Sequence, residues 1–202
     1  MNNLVARLHK GDDYETPLWA VRNLFVNVLD NRCVTMGYDA RVDLIYDPAC
    51  GRTDGGNIIQ VAAERGYDVR MGDIKYGSDF LSGEPLTFNG YNPILVCNPP
   101  YSKAYEFVDR ALTLGFDKAF FLLRLNFLEG TKRRDKLFNN NKFKGVYVFP
   151  SRVTMWPMGQ SKPANSGTAA YGWFQFGIEP TNLIHPFIKW LSTEREMNER
   201  QI

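Results

Sequence analysis

The sequence predicts a doubly wound α/β fold with a mostly parallel central sheet, and three observations carry that prediction. Short apolar runs of strand length alternate with longer segments of helical period along most of the chain. Three of the runs close on polar loops bearing Gly or Pro: Asp47-Pro48, Gly72-Asp73 and Asn98-Pro99-Pro100. No internal repeat or low-complexity tract breaks the rhythm, which excludes solenoid and propeller architectures. A length of 202 residues suits one domain, 1–202, with a core at 14–176 and a C-terminal helix and tail at 177–202.

The elements follow in order. Thr16-Pro17 reads as the N-cap and first residue of a helix whose apolar face runs through Leu18, Val21, Leu24, Phe25, Val28 and Leu29. Val42 to Tyr46 is a strand that stops at Asp47-Pro48, and after a Gly-rich turn Ile58 to Ala63 read as a helix ending near Gly66. Tyr67 to Met71 and Pro93 to Cys97 are strands, Ala104 to Leu114 a helix, Lys118 to Leu123 a strand and Lys132 to Phe138 a helix. Val146 to Phe149 and Tyr171 to Phe176 complete the strands, and Pro186 to Arg195 reads as a final helix. In such a fold ligands bind at the carboxyl ends of the strands, where the strand order reverses, so the polar strand-end loops are the candidate site.

Composition narrows the function classes. With 44% hydrophobic and 23% charged residues the chain is ordinary globular protein, not disordered, collagen-like or coiled-coil. The most apolar stretch, Ala119 to Leu128, is interrupted by Arg124 and Asn126, and a bilayer span needs about 18 apolar residues. The first residues lack the apolar core of a secretory signal, so a cytoplasmic protein without membrane attachment is expected. Cys33, Cys50 and Cys97 form no CxxC pair, and His9 and His185 are far apart, so neither a disulfide framework nor a metal site is expected. The formal net charge is only +2 but uneven, since residues 131–144 hold Lys132, Arg133, Arg134, Lys136, Lys142 and Lys144 against Asp135 alone. That patch is either a phosphate-binding surface or a solvated helix face.

Three loops carry chemistry. Asp47-Pro48-Ala49-Cys50-Gly51 places a glycine after a strand, where the backbone can approach a ligand and the next helix directs free N–H groups toward an anionic group. Any βα unit also uses such a turn for structural reasons. Gly72-Asp73 and Ser78-Asp79-Phe80 follow the second strand, and an acidic residue about 20 positions beyond a Gly-rich turn commonly holds a ribose hydroxyl pair. A capping or turn role is the alternative for either Asp. Asn98-Pro99-Pro100-Tyr101 is the most specific feature. Two prolines fix φ twice and remove two donors, leaving the Asn98 amide and the Pro99 carbonyl in fixed geometry, with the Tyr101 ring as a flat face beside them. Such a loop suits a planar amine, although a Pro-Pro pair also serves as a plain strand terminator.

These residues resemble a family. Asp47-Pro48-Ala49-Cys50-Gly51 followed by Asn98-Pro99-Pro100-Tyr101 is similar to the class I S-adenosylmethionine-dependent amino-methyltransferases, with their Rossmann-like fold. With Tyr14-Glu15-Thr16-Pro17 ahead of them, the resemblance is strongest to DNA adenine-N6 methyltransferases of small phage type. Leu125 to Gly130 and Ala170 to Phe174 also resemble segments of small phage methyltransferases, which extends the likeness over roughly residues 14–176. The resemblance implies that S-adenosylmethionine is bound by Tyr14, Thr16, Pro17, Asp47, Pro48, Ala49, Cys50, Gly51, Asp73, Ile74, Asp79, Phe80 and Asn98. It implies that Asn98, Pro99, Pro100 and Tyr101 hold a flipped adenine for transfer to N6, with Thr16-Pro17 near the methionine carboxylate. DNA is the implied partner, tracked by Lys132, Arg133, Arg134 and Lys136, with Gln160 to Thr168 as a DNA-facing loop and the protein a monomer or weak homodimer in the host cytoplasm. One departure stands out: the family's second glycine position holds Thr53, with Gly55 and Gly56 following. Guanine-N2 methylation in RNA, glutamine-N5 methylation in protein, and a catalytically silent nucleic-acid or cofactor-binding module are the alternatives.

Overall fold

The computed structural model describes residues 12–30, 42–82, 84, 86–163, 167–178 and 186–199. In chain order these form β1 (Tyr14–Glu15), α1 (Leu18–Leu24, continued by a π turn over Phe25–Leu29), β2 (Val42–Asp47), α2 (Gly56–Glu64), β3 (Asp68–Met71) and β4 (Tyr91–Cys97). Then follow α3 (Ala104–Leu114), β5 (Lys118–Arg124), α4 (Thr131–Arg133, continued by a π turn over Arg134–Phe138), β6 (Phe143–Val148) and β7 (Trp156–Pro157). The chain closes with β8 (Tyr171–Phe176), β9 (Phe187–Trp190) and α5 (Glu194–Glu199).

Among the described residues seven strands make one sheet in the order β3-β2-β4-β5-β8-β6-β9, and β1 and β7 pair as a separate two-stranded ribbon. Only β8 runs against its neighbours in the large sheet; every other pairing there is parallel. The fold is therefore Rossmann-like, as the β/α rhythm predicts. The chain steps outward from β2 to β3 and then crosses back to β4, so the order reverses beside β2. The crevice at the carboxyl ends of β2 and β4 is the switch point, and the Asp47 and Asn98 loops both open onto it.

Alternation along the strands explains the two layers. On β5, Phe120 and Leu122 face α1 and α2, where they meet Val21, Leu24, Ile58 and Val61. Ala119, Phe121 and Leu123 face the opposite side, against Phe107, Val108 and Ala111 of α3 and Leu137 after α4. Trp173 on β8 is fully buried, and its indole N–H donates to the Ala20 carbonyl at 3.0 Å, which ties α1 to the sheet. Asn23, also fully buried, donates from Nδ2 to the Ser192 carbonyl at 2.6 Å and accepts from Ser192 N–H at 3.3 Å, which fixes the chain after β9 to α1.

Two expectations change. Pro186 to Arg195 is not one helix: Phe187–Trp190 forms β9, parallel to β6, and only Glu194–Glu199 is helical. Phe187, Ile188 and Leu191 have a helix-compatible spacing, but the free edge of β6 offers partners for the backbone, and the Phe187 ring packs on Tyr147 at 4.8 Å. At the start of α1 the cap moves by one residue. Pro17 takes the cap position, its carbonyl accepting from Ala20 and Val21 N–H, and the Thr16 hydroxyl caps nothing.

No helix of the described residues is long and apolar enough to cross a membrane. Cys50 and Cys97 are buried free thiols; Cys33, His9 and His185 lie outside the described residues, as do 164–166 of the expected DNA-facing loop.

Candidate active site

The cleft at the switch point has a volume of about 310 Å³, within the range of cofactor sites. Its floor is the loop after β2. Asp47 is 2% exposed and its Oδ1 accepts from Ala49 N–H at 3.0 Å. Burial pushes its carboxyl up to about 7, against the lowering effect of that N–H and of the Cys97 thiol. The same burial, with the Asp47 charge beside it, raises the Cys97 thiol well above its ordinary value.

The next turn shows how Thr53 is accommodated. Gly51 takes φ +72°, and its N–H donates to Asp73 Oδ2 at 2.8 Å. Gly55 N–H closes a turn onto the Arg52 carbonyl at 3.1 Å, and Gly55 and Gly56 follow at φ +83° and +62°, leading directly into α2. The left-handed residues are therefore supplied by the glycine pair after Thr53-Asp54. Asp54 accepts from Gly56 N–H and pairs with Arg52, outside the cleft lining.

Asp73 follows β3 and is 6% exposed. Besides Gly51 it accepts from Lys75 N–H at 2.8 Å, which makes it the cap of the short 3₁₀ turn Ile74–Tyr76, and the residue also lines the cleft. Asp79 and Phe80 are placed elsewhere. Asp79 accepts from Leu81 N–H in a turn, and Phe80 is buried on the α3 face against Tyr46 and Phe107. Tyr14, Thr16, Ala49, Cys50, Asn98 and Pro100 line the cleft, whereas Pro17, Pro48, Pro99 and Ile74 flank it in sequence without lining it.

The opposite wall is the loop after β4. Asn98 Nδ2 donates to Thr16 Oγ1 at 3.0 Å, while Oδ1 is buried and has no hydrogen-bond partner. A buried acceptor left open costs about 1–3 kcal/mol, which marks it as a place where a donor belongs. Pro100 then starts a tight turn, its carbonyl accepting from Lys103 N–H, that feeds α3. Tyr101 is not the free platform that the sequence suggests. The Arg124 guanidinium lies over its ring at 4.6 Å, the Tyr14 ring is 5.5 Å away, and its hydroxyl is 2.9 Å from that of Tyr171. Burial first, then the Tyr171 hydroxyl, raise the Tyr101 phenol far above its ordinary value. Arg124 Nε also donates to Tyr171 at 3.2 Å.

Several cleft residues escape a reading of motifs. Asp12 and Asp13 precede the Tyr14 motif directly, and Asp12 accepts from Ser102 N–H while Asp13 pairs with Lys75. Met158 is brought in by the β1–β7 pairing, its N–H donating to the Asp13 carbonyl at 3.0 Å. No sequence signal marks it. The lining is acidic: Asp12, Asp13, Glu15, Asp47 and Asp73 face a single Lys75. The basic segment lies apart from that lining. Lys132 Nζ is 3.9 Å from the Tyr105 ring centre, Arg133 covers Phe127, Arg134 pairs with Asp135, and Lys136 is exposed.

No family profile and no curated protein matches the chain. Similar solved structures include a dimethyladenosine transferase from Plasmodium falciparum, at 11% identity and a TM-score of 0.40 over 82% of this chain and 62% of that one. Another is a provisionally assigned methyltransferase from Thermoplasma acidophilum, at 12% identity and a TM-score of 0.36 over 73% of this chain and 71% of that one. This chain thus spans less than two thirds of the first of them.

Proposed function

We propose that the protein transfers a methyl group from S-adenosylmethionine to the exocyclic N6 amine of adenine in DNA. The observation that carries this reading is the Asn98 side chain, which offers a buried, unpartnered acceptor at the switch point of the sheet. The residues present fit the cofactor. An acidic lining suits a ligand bearing sulfonium and ammonium charges, and the Asp73 carboxylate stands at the cleft edge of β3, where a ribose would be held. Tyr14, Thr16, Asp47, Ala49, Cys50 and Asp73 would hold it.

When bound, S-adenosylmethionine supplies a methyl group already activated for displacement, so no covalent enzyme intermediate is needed. The protein's part is positioning. Asn98 Oδ1 accepts one N–H of the amine at the cleft wall, and the Pro99 carbonyl, just outside the lining, accepts the other, so that the nitrogen is aimed into the cleft from its rim. As positive charge develops on that nitrogen, both bonds strengthen, which stabilises the transition state more than the ground state. Neither acceptor keeps the proton, which leaves the amine to water. The base reaches Tyr101 by taking the ring face that Arg124 covers. Base stacking is worth about 1–3 kcal/mol and an exposed cation–π contact about 0.5–1, so the exchange favours the base. The acidic cleft repels phosphate while Lys132, Arg133, Arg134 and Lys136 attract it, so the polyanion tracks the basic surface and only the extruded base enters.

Nucleoside mass spectrometry of DNA incubated with labelled cofactor is expected to show N6-methyladenine. Asn98→Ala should bind S-adenosylmethionine within a few fold of the wild type yet lose about a hundredfold to a thousandfold in single-turnover rate. An unchanged rate in that variant would refute the loop as the amine site.

A further inference from the structure

Two observations meet at Thr16. Its Oγ1 accepts from Asn98 Nδ2 at 3.0 Å, and the other end of that amide, Oδ1, is the buried acceptor without a partner. The amide is planar, so a bond that fixes the nitrogen also fixes where the oxygen points. Thr16 is itself firmly held. It is 9% exposed, its carbonyl accepts from Asn57 Nδ2 of α2 at 2.7 Å, the Pro17 ring follows it, and the strand before it is paired with β7. Helix α1 makes no use of the hydroxyl, because Pro17 takes the cap position and no side-chain cap bond forms. The hydroxyl is thus left to Asn98.

We infer that Thr16 is the positioning residue of the amine site: its hydroxyl pins the Asn98 amide through Nδ2 and so fixes where Oδ1 stands. The inference rests on the methyl-transfer reading above and names the residue that holds its acceptor. The last torsion of an Asn side chain is broad, so without a partner on one side the amide plane turns easily. With Nδ2 held, the acceptor is in place before the substrate arrives, and Thr16 acts through Asn98 without touching the reacting atoms.

Thr16→Val keeps the shape and removes the oxygen; Thr16→Ser keeps the oxygen. In ¹H–¹⁵N spectra of the unliganded protein, the Asn98 side-chain amide should shift and exchange faster with water in Thr16→Val, and should match the wild type in Thr16→Ser. An unmoved Asn98 signal in Thr16→Val overturns the inference, and this result is independent of any reaction. At saturating cofactor, single-turnover transfer to adenine-containing DNA should fall about a hundredfold in Thr16→Val and stay within about threefold in Thr16→Ser. Adding Thr16→Val to Asn98→Ala should cost nothing further, because both act through one group; full additivity overturns the inference. A wild-type protein that transfers methyl groups to no amine refutes the proposed function, and the amide spectra then decide the role of Thr16 alone.

Discussion

Asp47 shows what the cleft demands of a single residue. It is almost wholly buried, and burial is the largest cause of a carboxyl raised from 3.8 to about 7. The sign follows from proton counting. Below the unfolded value both states hold the proton. Between about 4 and about 7 the unfolded chain has released it while the folded chain keeps it, so stability falls as pH rises through that window and levels off above it. Three units at about 1.4 kcal/mol each set an order of about 4 kcal/mol for the whole change. Asp47→Asn retains an oxygen for the Ala49 N–H and removes the titration. Denaturant unfolding from pH 4 to pH 8 should therefore lose most of its downward slope in the variant, and an identical slope in both proteins would assign the pH dependence to another group.

At the scale of elements, the segment around α4 carries the cations that the proposed function assigns to DNA. Lys132 and Arg133 stand over aromatic rings, with no carboxylate partner among the described residues, whereas Arg134 is paired with Asp135. Each phosphate contact contributes about 0.9 to the slope of log affinity against log salt, so neutralising all three should lower it by about 2, Arg134 adding little. A slope unchanged by the triple variant would make the segment a solvated face. The same scale shows what the sequence made legible. The strands β2, β4, β5 and β8 are apolar runs bounded by Pro, Gly or Asp, and burial on both faces explains why they stand out. β9 was hidden because its neighbour β6 is remote in sequence and its residues suit either state, so only the open edge decides. The ribbon of β1 and β7 spans two residues per strand, too short for any period, yet it brings Met158 and Thr16 to the cleft. Asn98 was legible from its loop; the partner that orients it and the guanidinium over Tyr101 were not, since both depend on contacts across the sheet.

The whole molecule enters through the distance in sequence between the cleft's walls. Lining residues before α1, after β2 and into α2, after β3, after β4 and at Met158 meet only in the folded chain. A ligand of this cleft binds the native state and not the unfolded one, so it must stabilise the fold by mass action. At a hundred times its Kd the gain is about 2.7 kcal/mol, and a chain of this size gains about 2–4 °C in Tm per kcal/mol, so S-adenosylmethionine should raise Tm by about 5–11 °C. Two variants separate a local from a general effect. Trp173→Phe removes the indole bond to Ala20 across the α1 face, so it should lower Tm and leave the ligand-induced rise intact. Asp73→Ala leaves the Gly51 and Lys75 N–H groups without their acceptor and takes a carboxylate from the cleft wall, so it should lower both Tm and the rise. A rise in Asp73→Ala equal to that of the wild type would place the ligand somewhere other than the switch point.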